Sequence, residues 1–243
     1  MIRQQLSNKK YKPLADNVED YLLKSKIVLQ NDRNIIKAVN FNNEHLVIKS
    51  YKKLSFFNGL IYTFFKKSKA WRAYEYGLRI SEFTPRVIAR IEYFHPFLTK
   101  SYLICEKFEF EFNLQKPLFY NHPDKAEVFS QFAVFVYKLH QQGIYHKDLS
   151  PGNILIKKNE QKYHFKIIDI NRMLFKKLNK KQRAKNFDKL WAHDSDLRLI
   201  LKVYADLAQF NEEAFINLGL KYNQKNKDRK TRKRKIKQLL GLW

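Results

Sequence analysis

Two short stretches of this sequence decide its fold. The first, L-H-Q-Q-G-I-Y-H-K-D-L-S-P-G-N-I-L, runs from residue 139 to 155, and the second, I-I-D-I-N-R, runs from 167 to 172. Within them Asn153 lies five residues after Asp148, and Asp169 lies twenty-one residues after Asp148.

These stretches resemble the catalytic loop and the metal-binding strand of the protein kinase-like superfamily. In that superfamily an H-R-D motif is followed by an asparagine five residues after its aspartate, and later by D-F-G. By this resemblance, Asp148 receives the proton of an attacking hydroxyl, and Asn153 and Asp169 hold Mg²⁺ on the phosphates of ATP. We expect His146 to hold the loop by packing and hydrogen bonding, and we assign it no catalytic proton.

The alternative interpretation is a set of ordinary turns. Asp148 and Asn153 would then cap local backbone, and Asp169 would pair with a lysine. A single D-x-x-x-x-N spacing would fit that interpretation. The further matches around it favour the kinase-like interpretation. They are Leu139, His140, Gly143, His146, Pro151 and the apolar strand that follows.

The resemblance implies an α+β, bilobal protein kinase-like fold. Residues 1–109 are expected to form the first lobe, a small antiparallel sheet with one main helix. Three β-like runs, K-I-V-L-Q, N-I-I-K-A-V-N-F and H-L-V-I-K-S-Y, are separated by polar pairs at 31–32 and 42–43, which predict turns. A helical region from about Phe57 to Phe83 and two more strands, R-V-I-A-R-I-E-Y-F and S-Y-L-I-C-E-K-F, complete this lobe.

Three residues of the first lobe resemble the nucleotide-binding groups of a kinase. Lys49 ends the apolar strand L-V-I-K and resembles the lysine that contacts the α and β phosphates, and Glu75 resembles its partner glutamate. Both are alternatively surface charges, and Lys52 or Lys53 is an alternative to Lys49. We favour Lys49 because strand alternation places it at the end of the hydrophobic run. The cleft for ATP and Mg²⁺ is expected near Glu106.

Residues 110–243 are expected to form a mostly helical second lobe. Pro123 and Asp124 open a helix with one apolar face, and Gly143 ends it. The apolar positions are Val128, Phe132, Phe135, Val136 and Leu139. A short hairpin follows, and helices are predicted from about Lys180 to the end.

Departures from the kinase pattern restrict the acceptor. No glycine precedes Gly59, so the glycine-rich loop is absent and Asn31–Asn34 must form that turn in another way. Asp-Ile-Asn replaces Asp-Phe-Gly, Lys147 replaces the arginine, and no A-P-E segment follows Asp169 before helix-like sequence resumes. Little room remains for a peptide-docking platform, which favours a small molecule, a sugar or a lipid as the acceptor.

Within the superfamily, the chain resembles the bacterial lipopolysaccharide kinases, which phosphorylate Kdo or heptose sugars of the inner core. The resemblance covers about residues 26–210 and rests on H-K-D-L-S-P-G-N-I-L, D-I-N-R and K-S-K-A-W-R-A-Y-E-Y. It implies transfer of the ATP γ-phosphoryl group to a sugar hydroxyl of an anionic sugar-lipid, a lipopolysaccharide precursor, at the cytoplasmic face of the membrane. An atypical serine kinase acting on a protein and a pseudokinase scaffold are the alternatives. Arg172 is expected either to grip acceptor phosphates or to brace the loop.

The composition is that of a folded, strongly basic protein. The chain has 243 residues, a net charge of +25, 44% hydrophobic residues and 15% aromatic residues, which excludes a disordered basic tail. Cys105 is the single cysteine, so an intrachain disulfide and a zinc site of several thiolates are excluded. The N-terminal residues contain no apolar run typical of a signal sequence or anchor, so we expect a cytoplasmic protein.

Much of the positive charge lies in blocks, the largest of them between Lys225 and Lys237. Apolar residues at helical spacing follow this block, so the basic C-terminus is expected to dock on the second lobe or on an anionic membrane. They are Ile236, Leu239, Leu240 and Trp243. A second lysine-flanked candidate is Leu54–Phe65, for whose aromatic residues we favour burial under the sheet. No RNA-binding motif is present, so we expect no nucleic-acid partner.

Overall fold

A computed structural model describes residues 1–31, 34–160 and 162–241 of the chain. The chain forms two compact units. The first contains residues 1–109 together with 169–172, and the second contains residues 110–168 together with the chain from 173 onward. Residues 169–172 belong to the first unit because their 3-10 turn, Ile170–Arg172, packs against a helix of that unit.

The first unit is built around a six-stranded antiparallel sheet. Its strands are β1 (Ile2–Leu6), β2 (Val28–Asn31), β3 (Ile35–Phe41), β4 (Glu44–Ser50), β5 (Val87–Phe94) and β6 (Leu98–Glu106). Their spatial order is β1-β5-β6-β4-β3-β2. The five strands predicted from the sequence are present. The sixth, β1, is not predicted by the sequence and adds an edge to the sheet by pairing with β5.

The turn predicted at Asn42 and Asn43 is confirmed. Both residues have positive φ angles, 47° and 62°, and Phe41 pairs directly with Glu44 across the turn. Two consecutive residues with positive φ form the tight hairpin turn that matches the twist of the flanking strands, and asparagine tolerates this conformation well. The other predicted turn, in the segment N-D-R-N, falls partly outside the described residues.

Helices cover the sheet of the first unit. They are α1 (Lys12–Asp16), α2 (Val18–Lys24), α3 (Phe56–Phe64) and α4 (Lys69–Arg79). Side chains of α1 and α2, among them Leu14 and Val18, form one core with Leu46 and Ile48 of β4, and all four are fully buried. Because side chains alternate along a strand, Lys49 lies on the opposite face from Ile48.

The region predicted as one helical segment is two helices with different packing. The second helix, α4, begins after Ser68. The Ser68 hydroxyl accepts a hydrogen bond from the backbone N–H of Trp71 and caps the helix. α4 packs closely on the sheet, where a side chain at Gly77 would collide with Val87. The expectation that the aromatic residues of 54–65 are buried is wrong. In α3 Gly59 is the buried position, and Phe57 and Phe64 are exposed.

The second unit combines small sheets with longer helices. Its strands are β7 (Phe112–Asn113), β8 (Ile144–His146), β9 (Ile154–Asn159), β10 (Lys162–Ile167) and β11 (Met173–Phe175), paired antiparallel as β10-β9-β7 and β11-β8. Its helices are α5 (Gln115–Phe119), α6 (Lys125–Gln141), α7 (Lys180–Lys185), α8 (Asp194–Leu207) and α9 (Glu212–Leu239). Short 3-10 turns span Pro151–Asn153 and Asn186–Lys189. The predicted hairpin is formed by β9 and β10.

The helix before the catalytic-loop sequence ends where the sequence predicts. α6 begins directly after Asp124, and Gly143 follows its end with a φ of +70°. A Cβ at Gly143 would lie 2.9 Å from the backbone oxygen of Lys176, so glycine is required there for two reasons. Of the five apolar positions predicted for α6, four are buried and the fifth, Phe135, is partly exposed.

α9 is the longest helix of the described chain. Its first half packs against α8 and α7, whereas residues 228–241 are exposed. Ile236, Leu239 and Leu240 of the predicted apolar stripe are therefore in solvent, and its last member lies outside the described residues. Within the described chain, no helix combines the length and apolar character needed to cross a bilayer.

Candidate active site

The loop that carries Asp148 is fixed by His146. The imidazole is 1% exposed and lies at the end of β8. Its Nδ1 accepts a hydrogen bond from the backbone N–H of Asp148 at 3.0 Å, and its Nε2 donates to the backbone oxygen of Ile168 at 3.1 Å. Both ring nitrogens therefore hold backbone, as the sequence predicts, and the imidazole ties the start of the loop to the end of β10.

A second histidine extends this support deeper into the unit. His140 Nε2 donates to Asn186 Oδ1 at 2.9 Å, and Asn186 Nδ2 donates to the backbone oxygen of His146 at 2.7 Å. His140 Nδ1 accepts from the hydroxyl of Tyr204 at 2.7 Å. Burial lowers the pKa of His140 to about 4, so the ring is neutral and each of its nitrogens has one role. Sequence reasoning missed Asn186, because nothing in K-N-F-D-K distinguishes it from a surface asparagine.

The carboxylate of Asp148 is partly exposed and paired with a lysine of the same unit. Lys189 Nζ lies 2.7 Å from Asp148 Oδ1, and the two side chains are 22% and 31% exposed. Lys189 ends the 3-10 turn 186–189, which Asn186 anchors to the loop. The sequence did not single out Lys189. The contact gives Asp148 a fixed orientation while it stays open to solvent on another side.

Asn153 shares its loop with Asp148. Its amide nitrogen donates to the backbone oxygen of Asp148 at 2.9 Å, and its own backbone oxygen accepts from Ile168 at 2.9 Å. Among the described residues, no donor reaches the amide oxygen of Asn153. This oxygen is therefore available as a ligand for a cation.

In the first unit, Lys49 and Asp169 form an ion pair. Lys49 Nζ lies 2.7 Å from Asp169 Oδ1, and the lysine side chain is only 13% exposed. Asn171 Nδ2 donates to the same oxygen at 2.8 Å. Asp169 has a φ of +58°, in the left-handed region that aspartate and asparagine enter more readily than most other residues except glycine. Two residues far apart in sequence are thus brought together, and a lysine partner for Asp169 is also what the alternative interpretation of the sequence expects.

The tyrosine beside Lys49, Tyr51, is also within electrostatic reach of a further cation, Arg72. Tyr51 is 5% exposed, and burial, followed by the charge of Asp169, raises the pKa of its hydroxyl. Burial likewise raises the pKa of the Cys105 thiol to about 11, so the thiol is protonated and unreactive. The Nε of Arg72, on α4, is buried and has no hydrogen-bond partner among the described residues. A buried guanidinium nitrogen without a partner is a favourable donor for a phosphate oxygen.

The contacts of Glu75 and Glu106 give less support to their predicted nucleotide-binding roles. Glu75 lies on α4 and is partly buried, and within the described chain it forms no ion pair with Lys49, whose ammonium is occupied by Asp169. Glu106 ends β6 and is 51% exposed. Its carboxylate pairs with Arg86 at 3.3 Å, and its backbone N–H donates to the backbone oxygen of Arg86. The nucleotide-binding roles of both residues remain predictions.

The oxygen donors fit magnesium by their chemistry. Mg²⁺ binds carboxylate and carbonyl oxygens; Asp169 of the first unit has a carboxylate, and Asn153 of the second unit has an amide oxygen. The described residues contain no group of three or more His, Cys, Asp or Glu side chains that would hold a metal ion without help. Each of the two residues is suited by its chemistry to bind magnesium, and their metal-binding roles stay predictions.

An aromatic and basic surface lies near Asp148 in the second unit. Trp191 has a φ of +51°, and its ring nitrogen donates to Asn226 Oδ1 at 3.0 Å. Lys230 of α9 lies with its Nζ 3.0 Å from the centre of the indole. Burial lowers the pKa of Lys230, and the charge of Asp148 acts in the opposite direction. The part of α9 around Lys230 thus brings an ammonium group within electrostatic reach of the loop aspartate.

Comparison with protein-family models gives the decisive observation. Residues 71–214, more than half of the chain, match the lipopolysaccharide kinase (Kdo/WaaP) family. The chain belongs to this family. It is therefore a kinase, and the predicted family, kinase-like fold and enzyme class are confirmed. Membership in a kinase family also implies the use of ATP as phosphoryl donor.

Solved structures show which folds the kinase is similar to. A structure described as WaaP in complex with acyl carrier protein has 14% identity and a TM-score of 0.63, and the match covers 93% of this chain and 98% of that one. A Rio2 kinase–ADP/Mg²⁺-phosphoaspartate complex from Chaetomium thermophilum has 15% identity, a TM-score of 0.48 and coverage of 86% and 66%. WbdD with a kinase inhibitor has 16% identity, a TM-score of 0.49 and coverage of 80% and 44%. No curated protein matches the sequence.

Proposed function

We propose that this kinase transfers the γ-phosphoryl group of ATP to a hydroxyl of an inner-core sugar, Kdo or heptose, on a lipopolysaccharide precursor at the cytoplasmic face of the membrane. The observation that carries the proposal is the ion pair between Lys49 and Asp169, at 2.7 Å. A second cation, Arg72, has a buried Nε without a partner among the described residues, and its charge reaches Tyr51, which lies beside Lys49. A mostly buried ammonium group next to a carboxylate suits the binding of a nucleotide with its metal. Family membership supports the class of acceptor.

In this proposal the first unit provides groups for the nucleotide. Lys49 and Arg72 would bind phosphate oxygens, and Asp169, together with Asn153, would hold Mg²⁺. The metal, when bound, would neutralise charge on the phosphates. Lys49 is already oriented by Asp169, so little side-chain freedom remains to be lost when the phosphates bind. Glu75 and Glu106 are proposed as the flanking residues of this nucleotide site.

The second unit provides the group that acts on the acceptor. Asp148 would orient the sugar hydroxyl and receive its proton as the hydroxyl oxygen bonds to the γ-phosphorus. The bond between the γ-phosphorus and the bridging oxygen of ADP breaks in the same exchange, and ADP leaves with that oxygen. Lys189 keeps the carboxylate in place through its 2.7 Å contact, and the loop itself is held by His146.

Positive charge near Asp148 supports an anionic acceptor. Lys189 and Lys230 would attract acidic or phosphorylated sugars, and the indole of Trp191 would give a sugar ring an apolar surface to contact. Arg172, which is exposed, is a further candidate for acceptor phosphates. The exposed basic residues beyond 228 support attraction of the C-terminus to anionic lipid, where such an acceptor would be embedded.

A labelled-acceptor experiment tests the proposal. The purified kinase is incubated with Mg²⁺, radiolabelled ATP and either a Kdo-bearing lipid A precursor or a protein extract. Label on the glycolipid is the expected result. Label on protein alone would contradict the proposal and favour the atypical serine kinase. Failure of ATP with Mg²⁺ to raise the melting temperature, with no label on either acceptor, would favour the pseudokinase.

A further inference from the structure

The short helix α3 is attached to the sheet along one narrow side. A Cβ at Gly59 would lie 2.6 Å from the backbone oxygen of Leu98, so the helix approaches the start of β6 as closely as its backbone allows. Thr63, one turn later, accepts a hydrogen bond from the backbone N–H of Leu98 at 2.9 Å. Phe56 and Phe64 flank this contact, and the ring of each lies at a steep angle, 76° and 70°, to the ring of Phe97. The orientation of α3 is therefore fixed.

The opposite side of α3 is apolar and faces solvent. Phe57, Ile61, Phe64 and Phe65 follow the spacing i, i+4, i+7 and i+8, which places them on one side of a helix. Their exposed fractions are 78%, 37%, 67% and 78%. Exposed aromatic residues that cluster in this way cost free energy in water and typically mark a binding surface. We call these four residues the α3 face.

Positive charge surrounds the α3 face. Lys52 and Lys53 precede the helix, Lys66 and Lys67 follow it, and all four are exposed. No aspartate or glutamate occurs between Glu44 and Glu75, so this part of the chain has no acidic side chain to neutralise them. An apolar surface on a helix that lysines flank at both ends complements an anionic surface with an apolar interior.

We propose that the α3 face inserts into the headgroup region of an anionic bilayer and anchors the kinase there. The helix has nine residues, so it is far too short to span a membrane and would lie in the interface. Phenylalanine rings would enter the boundary between headgroups and acyl chains, and the four lysines would contact lipid phosphates. The inference rests on the proposed function for its biological setting, since an acceptor embedded in the membrane requires the kinase to reach that surface.

Other occupants fit the α3 face less well. A second copy of the chain carries the same charge of +25, so two such surfaces would repel each other. An acidic protein would satisfy the lysines but would need a shaped groove for the aromatic side chains that project from α3. A fluid bilayer needs no such groove. The exposed end of α9 is also basic, yet its attraction to lipid would be mainly electrostatic and would be screened by salt.

Sedimentation with vesicles tests the proposal. The full-length kinase is mixed with phosphatidylcholine vesicles that contain or lack phosphatidylglycerol, at low salt and at roughly 0.5 M salt. We expect binding to anionic vesicles that persists in part at high salt. The variant Phe57→Ser/Phe64→Ser/Phe65→Ser should reduce the bound-to-free ratio roughly tenfold or more, because three exposed rings would no longer enter the bilayer.

Matched variants separate the α3 face from other surfaces. Phe119→Ser/Tyr120→Ser removes two aromatic residues of the second unit that are 43% and 71% exposed, and it should bind as the wild type does. A chain ended after Thr231 removes the basic end of α9 and should retain the salt-resistant binding. Lys66→Glu/Lys67→Glu should weaken binding at low salt by roughly thirtyfold or more, because each lysine contributes about 1 kcal/mol beside an anionic surface.

Several results would overturn the proposal. The proposal is wrong if the wild type does not bind vesicles, or if the Phe57→Ser/Phe64→Ser/Phe65→Ser variant binds them as well as the wild type does. It is also wrong if the chain ended after Thr231 loses vesicle binding completely, or if the kinase captures an acidic protein but not vesicles. Failure of the proposed function is measured separately. Phosphoryl transfer to a water-soluble, deacylated acceptor should be equal in the wild type and the α3-face variant, and its absence from both would contradict the proposed activity while leaving the vesicle result valid.

Discussion

The loop that carries Asp148 and the turn that carries Asp169 are held by different forces. His146, His140 and Asn186 fix the loop through buried hydrogen bonds between uncharged groups. The turn depends on an ion pair with Lys49 and on a backbone conformation that is unfavourable for aspartate. The first arrangement stabilises the fold whether or not a ligand is present. The second keeps a carboxylate and an ammonium close together, which is a favourable arrangement for binding a charged ligand between them.

Because of this difference, we expect substitutions in the loop network to lower stability and substitutions of the charged site residues to lower activity. Removing a member of the buried network leaves uncharged polar groups without partners, so the main loss is stability. Removing a charged member of the candidate site leaves the fold nearly unchanged, because these side chains are partly exposed, and the main loss is catalysis or nucleotide binding. The predictions below test that division, in order of decreasing expected effect.

The largest effect is expected for Asp148→Asn. Asparagine keeps the shape of the side chain but cannot receive the proton of the acceptor hydroxyl. We expect the rate of phosphoryl transfer to fall by roughly 10²–10⁴, which is the usual contribution of a general base. The melting temperature should stay close to that of the wild type. The rate is measured with labelled ATP at saturating acceptor, and the melting temperature by calorimetry.

A matched carboxylate exists in the same unit. Asp124 also pairs with a lysine, Lys158, at 2.6 Å, but it lies on the other side of α6 from the loop sequence and has no proposed catalytic role. Asp124→Asn should leave the transfer rate close to wild type. A similar loss of rate in both variants would show that the effect of Asp148→Asn comes from a lost ion pair and not from a lost proton acceptor.

The next effect is expected for Asp169→Asn. Asparagine tolerates the positive φ angle at this position, so the backbone should be unchanged, while the negative charge that would hold the metal is lost. ATP with Mg²⁺ at a hundredfold excess over its Kd should stabilise the wild type by roughly 3 kcal/mol. The variant should lose this stabilisation. The measurement is the melting temperature with and without ATP and Mg²⁺.

The neighbouring asparagine provides a control for this substitution. Asn171 donates to the same oxygen of Asp169, so Asn171→Ala removes a contact of the turn and keeps the charge. Stabilisation by ATP and Mg²⁺ should be mostly retained in that variant. If Asp169→Asn still responds to the nucleotide as the wild type does, the metal-binding role of Asp169 is wrong.

Substitution of the buried network should act on stability. In Asn186→Ala, His140 Nε2 and the backbone oxygen of His146 both lose a buried partner. We expect the free energy of unfolding to fall by about 2–3 kcal/mol, as measured by urea denaturation. Asn217→Ala, which removes an exposed asparagine of α9, should change it by less than about 0.5 kcal/mol. Equal stability in the two variants would contradict the structural role of the network.

The sequence identified the residues whose relative positions follow from a motif with fixed spacing. Asp148, Asn153 and Asp169 could be found because a loop and a hairpin set their separations, and Lys49 because it ends an apolar strand. Their catalytic and metal-binding roles stay predictions. Lys189 and Asn186 could not be found, because their contacts with the loop depend on how a 3-10 turn packs forty residues farther along the chain.

The burial of individual side chains was harder to predict from the sequence than the helices and strands themselves. The apolar spacing of residues 56–65 correctly predicts a helix, but periodicity does not reveal whether the apolar side meets the protein or the solvent. In α3, a single glycine allows the polar and small residues to approach the sheet, so the aromatic residues face outward. The edge strand β1 was missed for a related reason. Its polar residues are partly exposed, and the strand is defined by backbone pairing with β5.

The smallest effect we predict is a dependence of stability on pH through His140. Its pKa is about 4 in the folded protein because of burial, against an ordinary value of 6.5. Above pH 6.5 neither the folded nor the unfolded state binds this proton. As the pH falls below that value, the unfolded chain takes up a proton that the folded protein excludes, so folding becomes less favourable until the pH approaches 4. From about pH 7.5 to 5 the expected loss is roughly 2 kcal/mol.

The variant His140→Gln isolates this contribution. Glutamine does not titrate, so the unfolding free energy of the variant should fall less between the two pH values than that of the wild type, even though the variant is less stable at both. His122, whose pKa is also lowered by burial, is present in both proteins and cancels in the comparison. Equal pH dependence would show that His140 is accessible to protons in the folded state. The loop of Asp148 would then be held by bonds that open readily, and the contrast with the charged turn at Asp169 would disappear.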